Sequence, residues 1–253
     1  MRLWVELPSR RVLVDPSCPI DLAFPIADGA AAPRAFGLPR PRIAPYRHGG
    51  FVGSVAAGGT CNCDVIELVP HGACTHTECV GHLTAEPIAL YHCLRRYMFW
   101  AQLMTVQPYR RANGDYVITA SQVQPLLQVP PPEALIVRTG VGAGEPRDFS
   151  ATNPPYFTPE AAELLAQHGV LHLLTDLPSI DREDDGGALR AHRAFWQYPE
   201  ATRLEATITE LLAFPPTLPD GEYLLELHIL NLHSDASPSK PVLYAPIAEE
   251  RYG

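Results

Sequence analysis

The chain has no excess of basic charge. Its 253 residues carry 19 Lys and Arg against 28 Asp and Glu, a formal net charge of −9. Sequence-independent binding to nucleic acid needs a basic footprint, so no nucleic-acid partner is expected. No apolar run reaches the roughly 18 residues that a membrane-spanning helix requires, so no membrane partner is expected either. The opening Met1-Arg2-Leu3-Trp4-Val5-Glu6-Leu7 lacks the basic start, apolar core and cleavage site of a secretory signal, and it reads as a strand. These absences together predict a soluble, cytoplasmic protein. There is no internal repeat and no low-complexity tail. There is also no Gly-x-Ser-x-Gly elbow, which argues against a Ser–His–Asp hydrolase. Six cysteines are present, but the chain is too large for a small disulfide scaffold, and reduced thiols are expected. An alternative is a structural zinc site built from Cys61, Cys63, Cys74 and either His71 or His76, although a Cys-x-Cys gap is shorter than the usual one.

Proline, by contrast, is abundant. Its 27 residues are about double the average share, which favours loops and edge strands over long helices. Residues 2–7 and 11–15 read as a strand pair about a turn. Residues 16–50 show little periodicity and form an irregular arm, of a length that tends to serve function or to wrap a partner subunit. A short strand or loop at 51–55 and a strand at 64–69 follow, then helix and strand through the apolar patch at 97–104. Residues 135–140 form a buried strand ending at glycine, with a loop at Gly142-Ala143-Gly144. Thr158 is placed to cap a helix that begins at Pro159 and stops at Gly169. A strand at 170–176 delivers Asp176, with Ser179 and Asp181 just beyond. A helix at 188–197 precedes strands at 206–211 and 223–229. This alternation predicts α/β packing in one domain over residues 1–253.

Chemistry concentrates in Pro70-His71-Gly72-Ala73-Cys74-Thr75-His76-Thr77-Glu78-Cys79-Val80-Gly81-His82. His76 and Glu78 alternate, so an extended backbone turns both to one face, and His82 would rejoin it. Imidazole nitrogen with carboxylate oxygen suits Zn2+, Mn2+ or Fe2+. The alternative is a loop of merely solvated or hydrogen-bonded histidines. Several close imidazoles, however, repel on protonation unless a metal or carboxylate joins them. On the 206–211 strand, Glu210 ends an apolar row formed by Ala206 and Ile208. A buried carboxylate of that kind needs a cation or a hydrogen-bonded partner. Asp176 could take part in the site or simply cap the turn after its strand, as Asp often does.

Thr75-His76-Thr77-Glu78, followed by His82, resembles the motif His-x-Gly-Thr-His-x-Asp-x-Pro-x-His of the metal-dependent cyclase-like hydrolases. That family includes bacterial kynurenine formamidases and isatin hydrolases. The likeness extends through 135–140, 175–181, the His192 helix and 207–211, so it covers about residues 60 to 230. The resemblance implies an α/β, swivelling β/β/α fold with a mixed, partly barrel-like sheet and flanking helices, assembled as a homodimer or homotetramer. It implies His71, His76, Glu78, His192 and Glu210 as metal ligands, holding one or two Zn2+ or Mn2+ ions, and His82 as the general acid/base. Three features depart from the motif. His71 lies five residues before His76 rather than four, Glu78 replaces Asp, and Cys74 and Val80 replace Gly and Pro.

The expected activity is hydrolysis of a C–N bond in a small amide, formamide or cyclic imide or lactam, in the manner of an arylformamidase. Metal-activated water would attack the carbonyl while His82 moves the proton. Thr75 and Thr77 are expected to hydrogen-bond around the ligands, and Asp176 and Ser179 to support them or the substrate. Lactone hydrolysis, cyclisation or dehydration at the same site, or metal binding without catalysis, are the alternatives.

Overall fold

The computed structural model describes residues 2–29, 32–141 and 145–251. The loop expected at 142–144 therefore lies outside the described residues. The centre of the molecule is a mixed sheet of eight strands. Four of them run parallel, in the order Met98–Thr105, Ala134–Arg138, His172–Thr175 and Thr207–Glu210. Parallel strands covered on both faces read as nearly continuous apolar sequence, and Ala134-Leu135-Ile136-Val137 is buried throughout. Leu135 and Val137 face one core with Leu173 and Ile208; Ala134 and Ile136 face another with Leu174 and Leu225. The period of two along one strand thus fills two cores.

The helices Pro159–Gln167 and Arg190–Trp196 link these strands and pack on the first core. Thr158 caps the first of them by accepting from Ala161 N, and Gly169 follows it at φ +83°, as its sequence predicts. The second helix is shorter than expected. Leu189 and Gln197 both take left-handed backbone (φ +44° and +51°), which ends the helical geometry at each side.

The sheet continues antiparallel from Thr207–Glu210 to His76–Cys79 and then to Ala236–Tyr244. This last strand pairs through its first residues with His76–Cys79 and through its later ones with Gly221–Ile229. Gly221–Ile229 returns to Met98–Thr105, so seven strands close into a barrel-like sheet. The α/β fold with a mixed, partly closed sheet is therefore as expected. The closing strand was not. It contains Pro238 and Pro241, and proline in a strand sequence argues against a central position.

Two other expectations need revision. The strand at 64–69 is Asp64–Glu67, a wholly exposed element paired with Arg42–Pro45 and leading into a short helix, Pro70–Ala73. The ligand-type residues His76 and Glu78 stand beyond it, on the buried His76–Cys79 strand. The arm at 16–50 is also more ordered than its composition implies. Ile20–Asp21 adds an edge strand to Ala236–Tyr244, and Phe24 N donates to Thr75 Oγ1 at 3.0 Å.

Candidate active site

Register places the first half of the site. Antiparallel pairing sets Glu210 opposite His76 and Ile208 opposite Glu78. A slip of one residue in the His76–Cys79 strand would turn His76 and Glu78 away from the face that holds Glu210. His76 and Glu78 share the face of Val80, Ala206 and Ile208, against the Arg190–Trp196 helix, while Cys79 joins the opposite core. Thr77 bonds across to Thr209 (Oγ1 to Oγ1, 2.8 Å), and Thr75 Oγ1 donates to Leu211 O at 2.6 Å. These two threonines hold the strand by hydrogen bonds to its neighbours.

From the helix, His192 brings Nε2 within 3.0 Å of Glu78 Oε1 and 3.7 Å of Glu210 Oε1. Its Nδ1 lies 2.6 Å from Asp181 Oδ2, and Asp181 also accepts from the backbone N of Ala191 and His192. Asp181 therefore holds the His192 ring and leaves Nε2 for the two glutamates. Glu210 Oε1 accepts from Ile180 N at 2.8 Å, and its Oε2 lies 3.5 Å from His76 Nε2. His76 Nδ1 is 3.0 Å from Cys74 O, a bond that needs the proton on Nδ1.

The second half lies nearer the surface. His71, on the short Pro70–Ala73 helix, stands 3.5 Å from Glu78 Oε2. His82, on the turn Val80–Leu83, is 3.8 Å from the same oxygen, so it does rejoin the face of His76 and Glu78. The rings of His71 and His82 stack at 4.6 Å. Asp235 Oδ2 meets both, at 2.9 Å from His71 Nε2 and 3.3 Å from His82 Nδ1.

The electrostatics follow from this crowding. Burial alone would push the Glu78 carboxyl up and the His192 imidazole down. The hydrogen bonds and charges between them, with Asp181 behind His192, reverse both shifts, so Glu78 is held low and His192 high. Burial likewise opposes charge on His76, and Glu210 raises its pKa. Asp235 is held low against its own burial by His71 and His82.

Among the described residues, two sets of ligand atoms could hold a metal ion: His71, Glu78 and His82, and the buried set His76, Glu78 and Glu210. Glu78 belongs to both. No cysteine belongs to either set among the described residues; Cys61 and Cys63 are exposed and Cys74 Sγ faces Pro70 O at 3.7 Å, which gives the cysteine–zinc alternative no support. Asp176 is occupied elsewhere. It accepts from Thr139 N and Oγ1 and from Gly140 N, and so fixes the loop after the Ala134–Arg138 strand. Ser179 lines the pocket, with its Oγ accepting from Asp181 N. That pocket, about 330 Å³, opens over Glu78, His82, His192 and Glu210, with Phe36 and Leu38 of the arm, Leu189 and Arg182 as walls.

Asp181 was visible in the sequence only as a neighbour of Asp176. Asp235 was not singled out at all, and no spacing there could have marked it.

The family described as "Putative cyclase" matches residues 20–182. Among solved structures, a predicted metal-dependent hydrolase from Bacillus stearothermophilus is similar at 18% identity, covering 90% of this chain and 98% of its own, with a TM-score of 0.61. An isatin hydrolase bound to the product analogue thioisatinate aligns at 16% identity over 90% and 92%, TM-score 0.65. Isatin hydrolase A from Ralstonia solanacearum aligns at 15% over 90% and 92%, TM-score 0.64. At these identities the likeness establishes the fold. No curated protein matches the chain by sequence.

Proposed function

Because this chain belongs to the cyclase family, matched over well over half its length, we propose that it is a metal-dependent hydrolase of a C–N bond in a small amide, formamide or cyclic imide or lactam. One observation carries the metal. Among the described residues, His76 Nε2 is buried without a hydrogen-bond partner. With its one proton on Nδ1, neutral His76 aims a lone pair at the Glu210 carboxylate, an arrangement that is repulsive unless a proton or a metal cation lies between them. The donor set of imidazole and carboxylate fits Zn2+ or Mn2+. His76, Glu78 and Glu210 would hold the ion, with His192 Nε2 beside them.

A bound divalent cation supplies Lewis acidity, which polarises a carbonyl and acidifies water. The chain's own groups do the rest. Phe36, Leu38 and Leu189 shelter a flat apolar substrate from water. His82 takes a proton from water at one ring nitrogen and returns it to the leaving nitrogen, a step worth about 10²–10⁴-fold. Arg182, the cation in the pocket wall, would attract the carboxylate released when a lactam or imide opens.

The test is elemental analysis of purified protein combined with turnover of N-formylkynurenine, isatin and simple lactones. Metal in the protein together with cleavage of an amide or lactam supports the reading. Fully loaded protein that turns over only lactones, or nothing, overturns the C–N assignment.

A further inference from the structure

Asp235 stands outside the motif residues and beyond the segment that the family matches, yet it reaches the centre of the outer half-site. It lies 153 positions from His82 in the chain. Its placement is built in from several sides. Cys79 N donates to Asp235 O at 3.0 Å and Leu90 N donates to Ser234 O at 2.8 Å, which ties the lead-in to the closing strand to the chain on either side of His82. Ser234 Oγ donates to Asp235 Oδ1 at 3.2 Å, which leaves Oδ2 for the imidazoles. Gly81 makes the approach feasible: a Cβ there would lie 3.0 Å from Asp235 Cβ and 2.2 Å from Ile88 O.

On Oδ2 two ring nitrogens converge, His71 Nε2 at 2.9 Å and His82 Nδ1 at 3.3 Å. A carboxylate oxygen accepts two hydrogen bonds readily, so both contacts are satisfied when each nitrogen carries its proton. The other acceptor near His82 Nδ1, Glu78 Oε2, stands at 3.8 Å, beyond hydrogen-bond reach. The stacked His71 ring limits how far His82 can turn away. We propose that Asp235 is a positioning residue for His82: it accepts the Nδ1 proton, fixes that tautomer, and leaves Nε2 as the nitrogen that exchanges a proton with substrate or water. This rests on the proposed role of His82 as general acid/base. It also keeps His82 Nδ1 from coordinating a cation, because a nitrogen that donates to a carboxylate has no lone pair to offer. A carboxylate behind a catalytic imidazole is a general way to select tautomer and orientation.

The experiment uses metal-loaded wild type, Asp235→Ala, Asp235→Asn and Asp235→Glu, with histidine ring nitrogens labelled with ¹⁵N and the His82 signals assigned by their loss in His82→Gln. Asp235→Ala is expected to keep its metal content and, for any substrate found, KM within about twofold, while kcat falls on the order of 10–100-fold. Its His82 signals should leave the Nδ1–H pattern. Asp235→Glu should recover part of both. Should the alanine variant fail to fold, the asparagine variant is read for the same loss. An unchanged His82 tautomer overturns the proposal, and so does loss of metal from any folded variant, which would make Asp235 part of the metal site. If no substrate turns over, the hydrolase reading falls, and the tautomer and metal content still decide this one.

Discussion

The inner and outer halves of the cluster use the same residue types and reach opposite states of satisfaction. His76, Glu78, His192 and Glu210 are almost fully buried and stand on two paired strands and a helix. His71, His82 and Asp235 are about a quarter exposed and stand on a short helix, a turn and the lead-in to a strand. The outer half satisfies itself through Asp235 Oδ2. The inner half leaves one buried ring nitrogen, His76 Nε2, without a hydrogen-bond partner among the described residues. A buried polar group without a partner is costly, so the demand for a cation is concentrated inside. The comparison teaches that a count of histidines does not locate a metal; the count of unmet partners does.

The most severe way to break the comparison is to remove the residue that both halves share. Glu78→Ala should bring metal content to background and lower turnover by at least about 10³-fold, read by elemental analysis and steady-state rates. The halves can then be separated. Glu210→Gln should weaken metal affinity by about 10²-fold or more, while His71→Gln should stay within about tenfold, both read by competition with a chelator. Equal losses would erase the distinction. Asp181→Ala, which frees the ring of His192, should cost about 10–100-fold in metal affinity, as loss of a group that orients a ligand does.

The smallest effect tests a buried histidine outside the cluster. His172 packs against Phe99 at 4.0 Å between ring centres, and its Nδ1 meets Thr207 Oγ1 at 2.9 Å. Burial, helped by Arg96 and Arg203, lowers its pKa to about 3. Below pH about 6.5 the unfolded chain therefore gains a proton that the folded one refuses until about pH 3, and stability is lost as pH falls through that window. Denaturant unfolding at pH 7 and pH 5 should show a loss in wild type that is smaller in His172→Gln by about 1–2 kcal/mol. An identical loss in both would show that this imidazole does not set the acid response.

Much of the fold was legible locally. Thr158, Pro159 and Gly169 frame their helix by cap chemistry, and the parallel strands announce themselves as short apolar runs between turns. Elements whose placement depends on partners were not. The exposed Asp64–Glu67 strand has the same kind of content as a buried one, and the Pro238- and Pro241-bearing strand that closes the sheet looks like an edge. In the site, alternation within His76–Cys79 sufficed to put His76 and Glu78 on one face, and the apolar row ending in Glu210 marked it as a carboxylate in need of a partner.

What the amino-acid order determined on its own was therefore the local geometry: which side chains share a strand face, where helices start, and which residue types could hold a cation. Only the tertiary structure decided that Glu210 stands opposite His76, that Asp181 turns the ring of His192, and that Asp235 reaches His82. The physical reason is that these contacts depend on strand register and on closure of the sheet. Both are settled by the burial of whole faces at once, and neither leaves a periodic trace in the segments that it brings together.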